Sequence, residues 1–295
     1  ISFSKADEIA GKIGIEQESE FRVQSGIKYA LSVFAGNGST HVPKDVLIES
    51  SIRLLDVSGE LIEENLVALA FSGQIETDSL DGVPVVYQHF FYRAEQSVTF
   101  HIKRIMNGFM PPTAANVDNL INAAEAGERI RLSGDQRKAI RAALTNKITI
   151  ITGGPGTGKT TIINLIVKIF KQMGISVALA APTGRAAKRI TETAGVEAMT
   201  IHRLLEYVYS EDDNQMEFGR NEDNPLEEDA FIVDEASMID LMLMDGFLQA
   251  LDNDSRLIIV GDADQLPSVG AGNILHDMIN SEYVPTIRLE EIFRQ

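Results

Sequence analysis

The sequence predicts an α/β protein, in which a parallel sheet domain built around a phosphate-binding loop follows a mainly helical, winged-helix-like domain. Three observations carry this. Ile148–Gly153 is an apolar, β-branched run that breaks at a glycine pair, as a buried strand entering a tight turn does. It leads into G-x-x-x-x-G-K-T, with Gly153, Gly158, Lys159 and Thr160 in the fixed places. From there onward, strand-like and helix-like stretches alternate, which is the pattern of a parallel sheet covered on both faces.

The first half builds up as follows. Phe3–Gly14 is a short amphipathic helix with Ile9 and Ile13 on one side. A second helix over about Phe21–Ala35 carries the stripe Val23, Ile27, Ala30, Leu31 and Phe34, and ends at Gly36-Asn37-Gly38. A third runs from about Pro43, placed at the first helical position, to Leu55. The fourth spans Ser58–Phe71, with Ser58 in place to cap it. Gln74–Thr77 and Val83–Phe90 form two strands around a turn-rich tip, Asp78–Gly82. A helix over about Tyr92–Met106 then ends at Gly108 and Pro111-Pro112.

Three helices followed by a hairpin make a winged-helix pattern, which invites a DNA-reading role for the helix before the hairpin. Its charge argues against that role. SGELIEENLVALAF carries Glu60, Glu63 and Glu64 and no Lys or Arg, so it would repel the phosphates whose neutralisation supplies affinity. A structural or protein-contacting role fits better.

The second half begins with a linker helix over Val117–Ala126 and a helix over Gly134–Leu144. Strands are expected at Ile148–Thr152, Ile175–Ala181, Phe231–Asp234, Arg256–Val260 and Thr286–Leu289. Helices are expected at Thr160–Met173, Arg185–Thr193, His202–Tyr209, Ile239–Leu251 and Asn273–Ile279. The domains divide as 1–15, the tail of a preceding helical element; 16–110, winged-helix-like; 111–130, linker; and 131–295, the sheet domain.

With 295 residues and 44% hydrophobic content, two globular domains are expected. No apolar run is long enough to span a bilayer, so no membrane partner is expected, and the absence of cysteine excludes a disulfide framework, a thiol nucleophile and a cysteine zinc site. A soluble protein of a reducing cytoplasm is expected. The net charge of −17 would weigh against a nucleic-acid partner if it were evenly spread. From Arg131 onward, 16 basic residues face 25 acidic ones, but Glu206–Asp229 alone holds ten acids and one base. The remainder of that half is neutral, which leaves room for a positive groove.

The chemistry gathers at strand ends. A polyphosphate needs bare backbone N–H groups at a helix N-terminus, and a loop of Gly153, Gly154, Pro155, Gly156, Thr157 and Gly158 running into Lys159, Thr160 and Thr161 supplies them. Lys159 would reach the β and γ phosphates and Thr160 would offer its hydroxyl to Mg²⁺, so ATP with Mg²⁺ is the expected ligand. Phe231–Val233 is an apolar run ending in Asp234-Glu235: Asp234 fits holding Mg²⁺ through water, Glu235 fits orienting and deprotonating the attacking water. The alternative is a pair of solvated acids favoured by a helix dipole. After the third apolar strand, Gln265 could bond the γ-phosphate or the activated water.

Pro182, Thr183 and Arg185, with Lys188 and Arg189 beyond them, leave another strand edge; they suit contacts to a single nucleic-acid strand, or form a solvated basic helix start. Thr200 and His202 extend the same track, or Thr200 caps its own helix. Gln136 has two open readings: with Ser133 it has the spacing of a capping box, and it could present its amide to adenine.

With these residues in place, the chain resembles the superfamily-one helicases of the RecD-like branch, which includes the exonuclease V alpha subunit. The matching pieces are LSGDQRKAI, GGPGTGKTT, APTGRAAKRI, TIHRLL, IVDEASM, GDADQLPSVGAG and LEEIFRQ, nearly continuous from Arg131 to Gln295. The resemblance implies a RecA-like first motor domain, ATP-driven 5′-to-3′ translocation on single-stranded DNA, and unwinding at duplex junctions. It also implies a γ-phosphate contact from Arg294, similar to an arginine finger. A strand-separating hairpin would fall within Glu206–Asp229, around Met216–Asn221, unless that acidic segment is a solvated loop.

The chain opens on Ile1 and stops at Gln295, and the motifs of a second motor domain do not follow. We therefore expect a piece of a longer protein, one that binds nucleotide weakly, hydrolyses it poorly and does not unwind DNA alone. Two other functions fit less well: a P-loop ATPase acting on RNA or protein, and a non-catalytic module docking partners through the acidic winged helix. Nuclease activity has no carboxylate cluster to support it.

Overall fold

The computed structural model describes residues 3–110, 117–210, 215–266 and 268–293. Arg294 and the Pro111-Pro112 boundary lie outside the described residues. The chain separates into two compact units. One comprises the residues up to Gln96 with Val269–Gly272, the other Ser97–Ser268 with the residues from Asn273 onward.

In the first unit, α1 (Phe3–Lys12) packs on α2 (Glu20–Gly36), with Phe3 stacked on Tyr29 and Arg22 bonding both carboxylate oxygens of Asp7. The α2 stripe of Val23, Ile27, Ala30 and Leu31 is buried against α3 (Lys44–Leu55) and α4 (Gly59–Phe71). Gly26 permits the close crossing of α2 and α3, since a Cβ there would lie 2.4 Å from Leu55. Ser58 caps α4 by accepting from Leu61 N–H.

Three details differ from the expectation. Pro43 is not the first residue of α3; it ends a short strand, β1 (His41–Pro43), and stands at the N-cap. β1 is too short for an alternation signal and becomes visible only where it pairs with β3 (Val83–Gln88), which also pairs with β2 (Ile75–Leu80), in the order β1-β3-β2. The hairpin tip is tighter than predicted. Leu80 faces Val83, leaving only Asp81 and Gly82, both at positive φ (51° and 81°), in the turn. Asp-Gly in that conformation matches the twist of a two-residue hairpin.

A helix, α5 (His89–Met106), leads into the second unit. There α6 (Val117–Glu128) buries Ile121 and Ala124 in the same core as α7 (Gly134–Thr145) and α8 (Lys159–Gln172), so the expected linker helix is a packed part of this unit. The sheet comprises β4 (Ile148–Gly153), β5 (Val177–Ala181), β6 (Ala198–Thr200), β9 (Ala230–Val233), β10 (Arg256–Gly261) and β11 (Thr286–Leu289). Between β6 and β9 lies a separate ribbon of β7 (Tyr207–Ser210) and β8 (Gln215–Phe218). The sheet order is β11-β4-β10-β9-β5-β6, with every pairing parallel.

Every residue of β4, β9 and β10 is buried, the mark of a sheet covered on both faces. One face packs Ile151, Ile232, Ile258 and Val260 under α7, α8 and α9 (Gly184–Ala194). Phe231 faces the other way, edge-on to Phe247 of α11 (Leu241–Gln249).

Two predicted helices are corrected here. The one placed over His202–Tyr209 is a single turn, α10 (Ile201–Leu204), because Glu206 takes a positive φ (53°) and the aromatic, β-branched Tyr-Val-Tyr run joins the ribbon. The one over Ile239–Leu251 starts later, where Asp240 caps α11 from Leu243 N–H, after a 3₁₀ turn at Ala236–Met238. The last helix, α12, spans Ile274–Asn280. Within the acidic segment β7 and β8 thus pair as an antiparallel ribbon, beginning earlier in the chain than the Met216–Asn221 stretch where a hairpin is expected.

Candidate functional site

The sheet order decides what meets at its carboxyl edge. β4, β10 and β9 are adjacent, so the loops leaving them converge on one cavity of about 680 Å³. The glycine loop forms its floor. Gly156 and Gly158 take positive φ (81° and 84°), so the loop folds tightly enough to turn its N–H groups inward at the start of α8. Thr157 is buried and donates to Gly154 O at 2.8 Å, bracing the loop. Lys159 Nζ donates to the carbonyls of Gly153 and Gly154 (3.1 Å to the latter), which holds its charge over the loop.

From β9, Asp234 and Glu235 enter the same cavity. Asp234 is buried, and its carboxylate accepts from Glu235 N–H at 2.9 Å. Burial pushes the Asp234 carboxyl up; the Glu235 N–H opposes that, the Glu235 charge adds to it, and the Lys159 and Arg189 charges pull it back. Glu235 sits at φ 54°, a left-handed conformation costly for a side chain of its size, and such strain gathers where a group must be aimed.

From β10, the buried Asp262 organises the loop that carries Gln265. Its carboxylate accepts from Asp264 N–H at 3.1 Å and from Gln265 Nε2 at 3.2 Å, while Thr152 Oγ1 at the end of β4 accepts from Ala263 N–H. Gln265 lines the cavity. Asp262 was missed as a site residue, although the GD pair before Gln265 marks a strand-end turn.

Gln136 takes the capping role of its two readings, and its amide nitrogen is engaged by the backbone. It completes a capping box with Ser133, and its Nε2 donates to Thr157 O at 3.1 Å, tying α7 to the glycine loop beside the cavity. Around it, Ile130, Leu132 and Phe293 give the cavity apolar walls, and Phe293 N–H donates to Gly156 O at 2.9 Å. Arg189 also lines the cavity, with its guanidinium 3.9 Å from Glu235, where the sequence put it on the nucleic-acid track.

Of the sequence-predicted residues, the cavity gathers Gln136, Gly154 through Thr161, Asp234, Glu235 and Gln265, and Gly153 joins through its carbonyl. Pro182, Thr183, Arg185, Thr200 and His202 are not among its lining. They stand at the ends of β5 and β6, which are neighbours because Ala181 pairs with Thr200. Thr183 and Thr200 cap α9 and α10, accepting from Ala186 and Arg203 N–H. His202 is exposed and meets Tyr207 edge-on.

Residues 136–271 match the family described as AAA domain, and residues 1–41, spanning α1 and α2, match the ATP-dependent RecD2 DNA helicase HHH domain. The ATP-dependent RecD2 DNA helicase of Deinococcus radiodurans is 35% identical over 210 residues, covering 71% of this chain and 28% of that protein. The RecBCD enzyme subunit RecD of Mycolicibacterium smegmatis is 38% identical over 168 residues, covering 49% of this chain and 30% of its own length. Among solved structures, Pif1 helicase from Candida albicans aligns over 56% of this chain and 41% of its own at 25% identity, with a TM-score of 0.42. The chain spans about a third or less of those two RecD relatives. In its sequence motifs and in the proteins it matches, this chain is similar to RecD-like helicases.

Proposed function

We propose that the protein is an ATP-dependent DNA helicase, hydrolysing ATP to move 5′-to-3′ along single-stranded DNA and open duplex junctions. The observation that carries this reading is the convergence of Lys159, Asp234, Glu235 and Gln265 on one cavity lined by the glycine loop. The donors suit Mg²⁺-ATP. A buried carboxylate and a hydroxyl at a helix start are hard oxygen ligands, and among the described residues no cluster of three or more His, Cys, Asp or Glu could hold a metal by itself. Mg²⁺ would therefore draw on Thr160, Asp234 and phosphate oxygens, and would neutralise charge on the triphosphate.

The chain's own groups divide the work. The loop N–H groups and Lys159 bind the phosphates; the apolar walls by Gln136 receive the base; Glu235 takes a proton from the attacking water; Gln265, steadied by Asp262, orients that water or the γ-phosphate. Arg294 fits a γ-phosphate contact by resemblance. Pro182, Thr183, Arg185, Thr200 and His202 fit contacts to one DNA strand, which the neighbouring ends of β5 and β6 support. The β7–β8 ribbon fits a strand-separating wedge. The exposed glutamates of α4 suit a protein partner better than DNA.

Turnover of ATP by the complete protein, with and without single-stranded DNA, tests this reading, together with unwinding of duplexes bearing either a 5′ or a 3′ tail. Strong DNA stimulation and opening of the 5′-tailed duplex are expected. Stimulation by RNA alone, or none by any polynucleotide, would replace the helicase reading with a different P-loop ATPase.

A further inference from the structure

α9 physically joins the two polar edges of the sheet. Its first turn is capped by Thr183 at the end of β5, and Ala187 and Ile190 bury its underside in the core, so the helix is anchored at its start and along one side. Arg185 and Arg189 are one turn apart and share a face. Arg185 stands at the β5 edge, whereas Arg189 lines the phosphate cavity with Nη1 3.9 Å from Glu235 Oε1.

Glu235 needs such a partner. Among the described residues no hydrogen bond holds its carboxylate, and Arg189 makes its only ion pair. Its neighbour Asp234 is held by a backbone N–H, and Gln265 by Asp262, whereas the Glu235 carboxylate is held by the Arg189 pair. An exposed pair at this separation is weak, and is therefore readily made or broken. Weak contacts of this kind can be biased by a ligand that favours one arrangement.

We propose that Arg189 is a positioning residue for Glu235, and that α9 transmits occupancy of the β5 edge by a nucleic-acid strand to the carboxylate that activates water. The proposal rests on the ATPase reading above. The strand engages the first turn of α9, the helix shifts as a unit, and the guanidinium re-aims Glu235. Lys159 and the loop remain in charge of nucleotide affinity.

The test uses the complete protein carrying Arg189→Ala or Arg189→Lys, with a deoxythymidine oligonucleotide as the strand and a fluorescent ATP analogue for affinity. For Arg189→Ala, nucleotide affinity is expected to stay within about twofold of wild type while DNA-stimulated kcat falls by about tenfold or more, the scale on which misplacing a catalytic group acts. The ratio of DNA-stimulated to basal turnover should fall with it, and Arg189→Lys should recover part of that ratio. A tenfold loss of nucleotide affinity with the stimulation ratio intact would make Arg189 a phosphate contact and overturn the proposal. Unchanged stimulation would overturn it too. Absence of turnover in the wild type would instead remove the ATPase reading beneath it.

Discussion

Two polar edges sit side by side on one sheet. At the ends of β4, β9 and β10, a few buried polar anchors cross-link the loops: Asp262 holds Gln265, Gln136 holds the glycine loop, and Thr152 holds the β10 loop. At the ends of β5 and β6, Thr183 and Thr200 cap their own helices and His202 is exposed. Buried polar groups must be satisfied, so Asp262, Gln136 and Thr152 brace the first edge; the second spends its hydroxyls locally and meets solvent. The first is cross-linked between strands. The second is held within its own helices.

That contrast can be broken or sharpened by substitution. The largest effect is expected from Lys159→Ala, which removes a charged donor to the phosphates; ATP affinity measured by fluorescence titration should fall roughly 10- to 100-fold, the worth of about 1.5–3 kcal/mol for a charged hydrogen bond. Equal affinity for wild type and variant would strip the phosphate edge of its role. Next, Gly158→Ala places a Cβ 2.4 Å from Gln136 Nε2 at φ 84°, and should lower stability to urea by about 1–2 kcal/mol along with nucleotide binding. Gly184→Ala, at the other edge, meets open space and should change stability by less than about 0.5 kcal/mol.

Thr183 offers a finer cut. Thr183→Ala should cost about 1 kcal/mol through the lost cap, whereas Thr183→Asp keeps the cap but sets a negative charge where a phosphate would pass. Near wild-type stability with weakened single-stranded DNA binding is expected for the aspartate. Undiminished DNA binding would reduce Thr183 to a cap.

The smallest effect lies away from both edges. His101 on α5 is buried, accepts from Arg104 Nε at 3.1 Å, and has its pKa lowered from 6.5, by burial first and then by the Arg104 charge. Since the unfolded chain binds the proton more readily, the stability this residue contributes is present above about pH 6.5 and is lost as pH falls through the folded-state pKa. His101→Gln should therefore flatten the acid limb of urea midpoints measured across that range, and an unchanged acid limb would count against a buried neutral imidazole.

The phosphate edge was legible in the sequence because each of its strands is an apolar run that stops at the residue doing the chemistry, as Val233 does before Asp234. The order of helices and hairpin in the first half was legible from helical stripes and one Asp-Gly turn. What escaped depends on partners far along the chain. β1 and β6 are three residues each and exist through pairing; Tyr207–Ser210 took its form from β8 and not from the helix before it. Arg189 resembled its basic neighbours in sequence, and only the placement of α9 against β5, the strand paired with β9, brought it to Glu235. For Gln136 the capping box was legible from its spacing to Ser133, whereas its bond to Thr157 O, which depends on where the glycine loop lies, was not.

The backbone bond from Phe293 to Gly156 O clips the segment beyond β11 to the crown of the glycine loop. A tug on that segment would distort the cradle, and a ligand that stiffens the cradle would resist the tug.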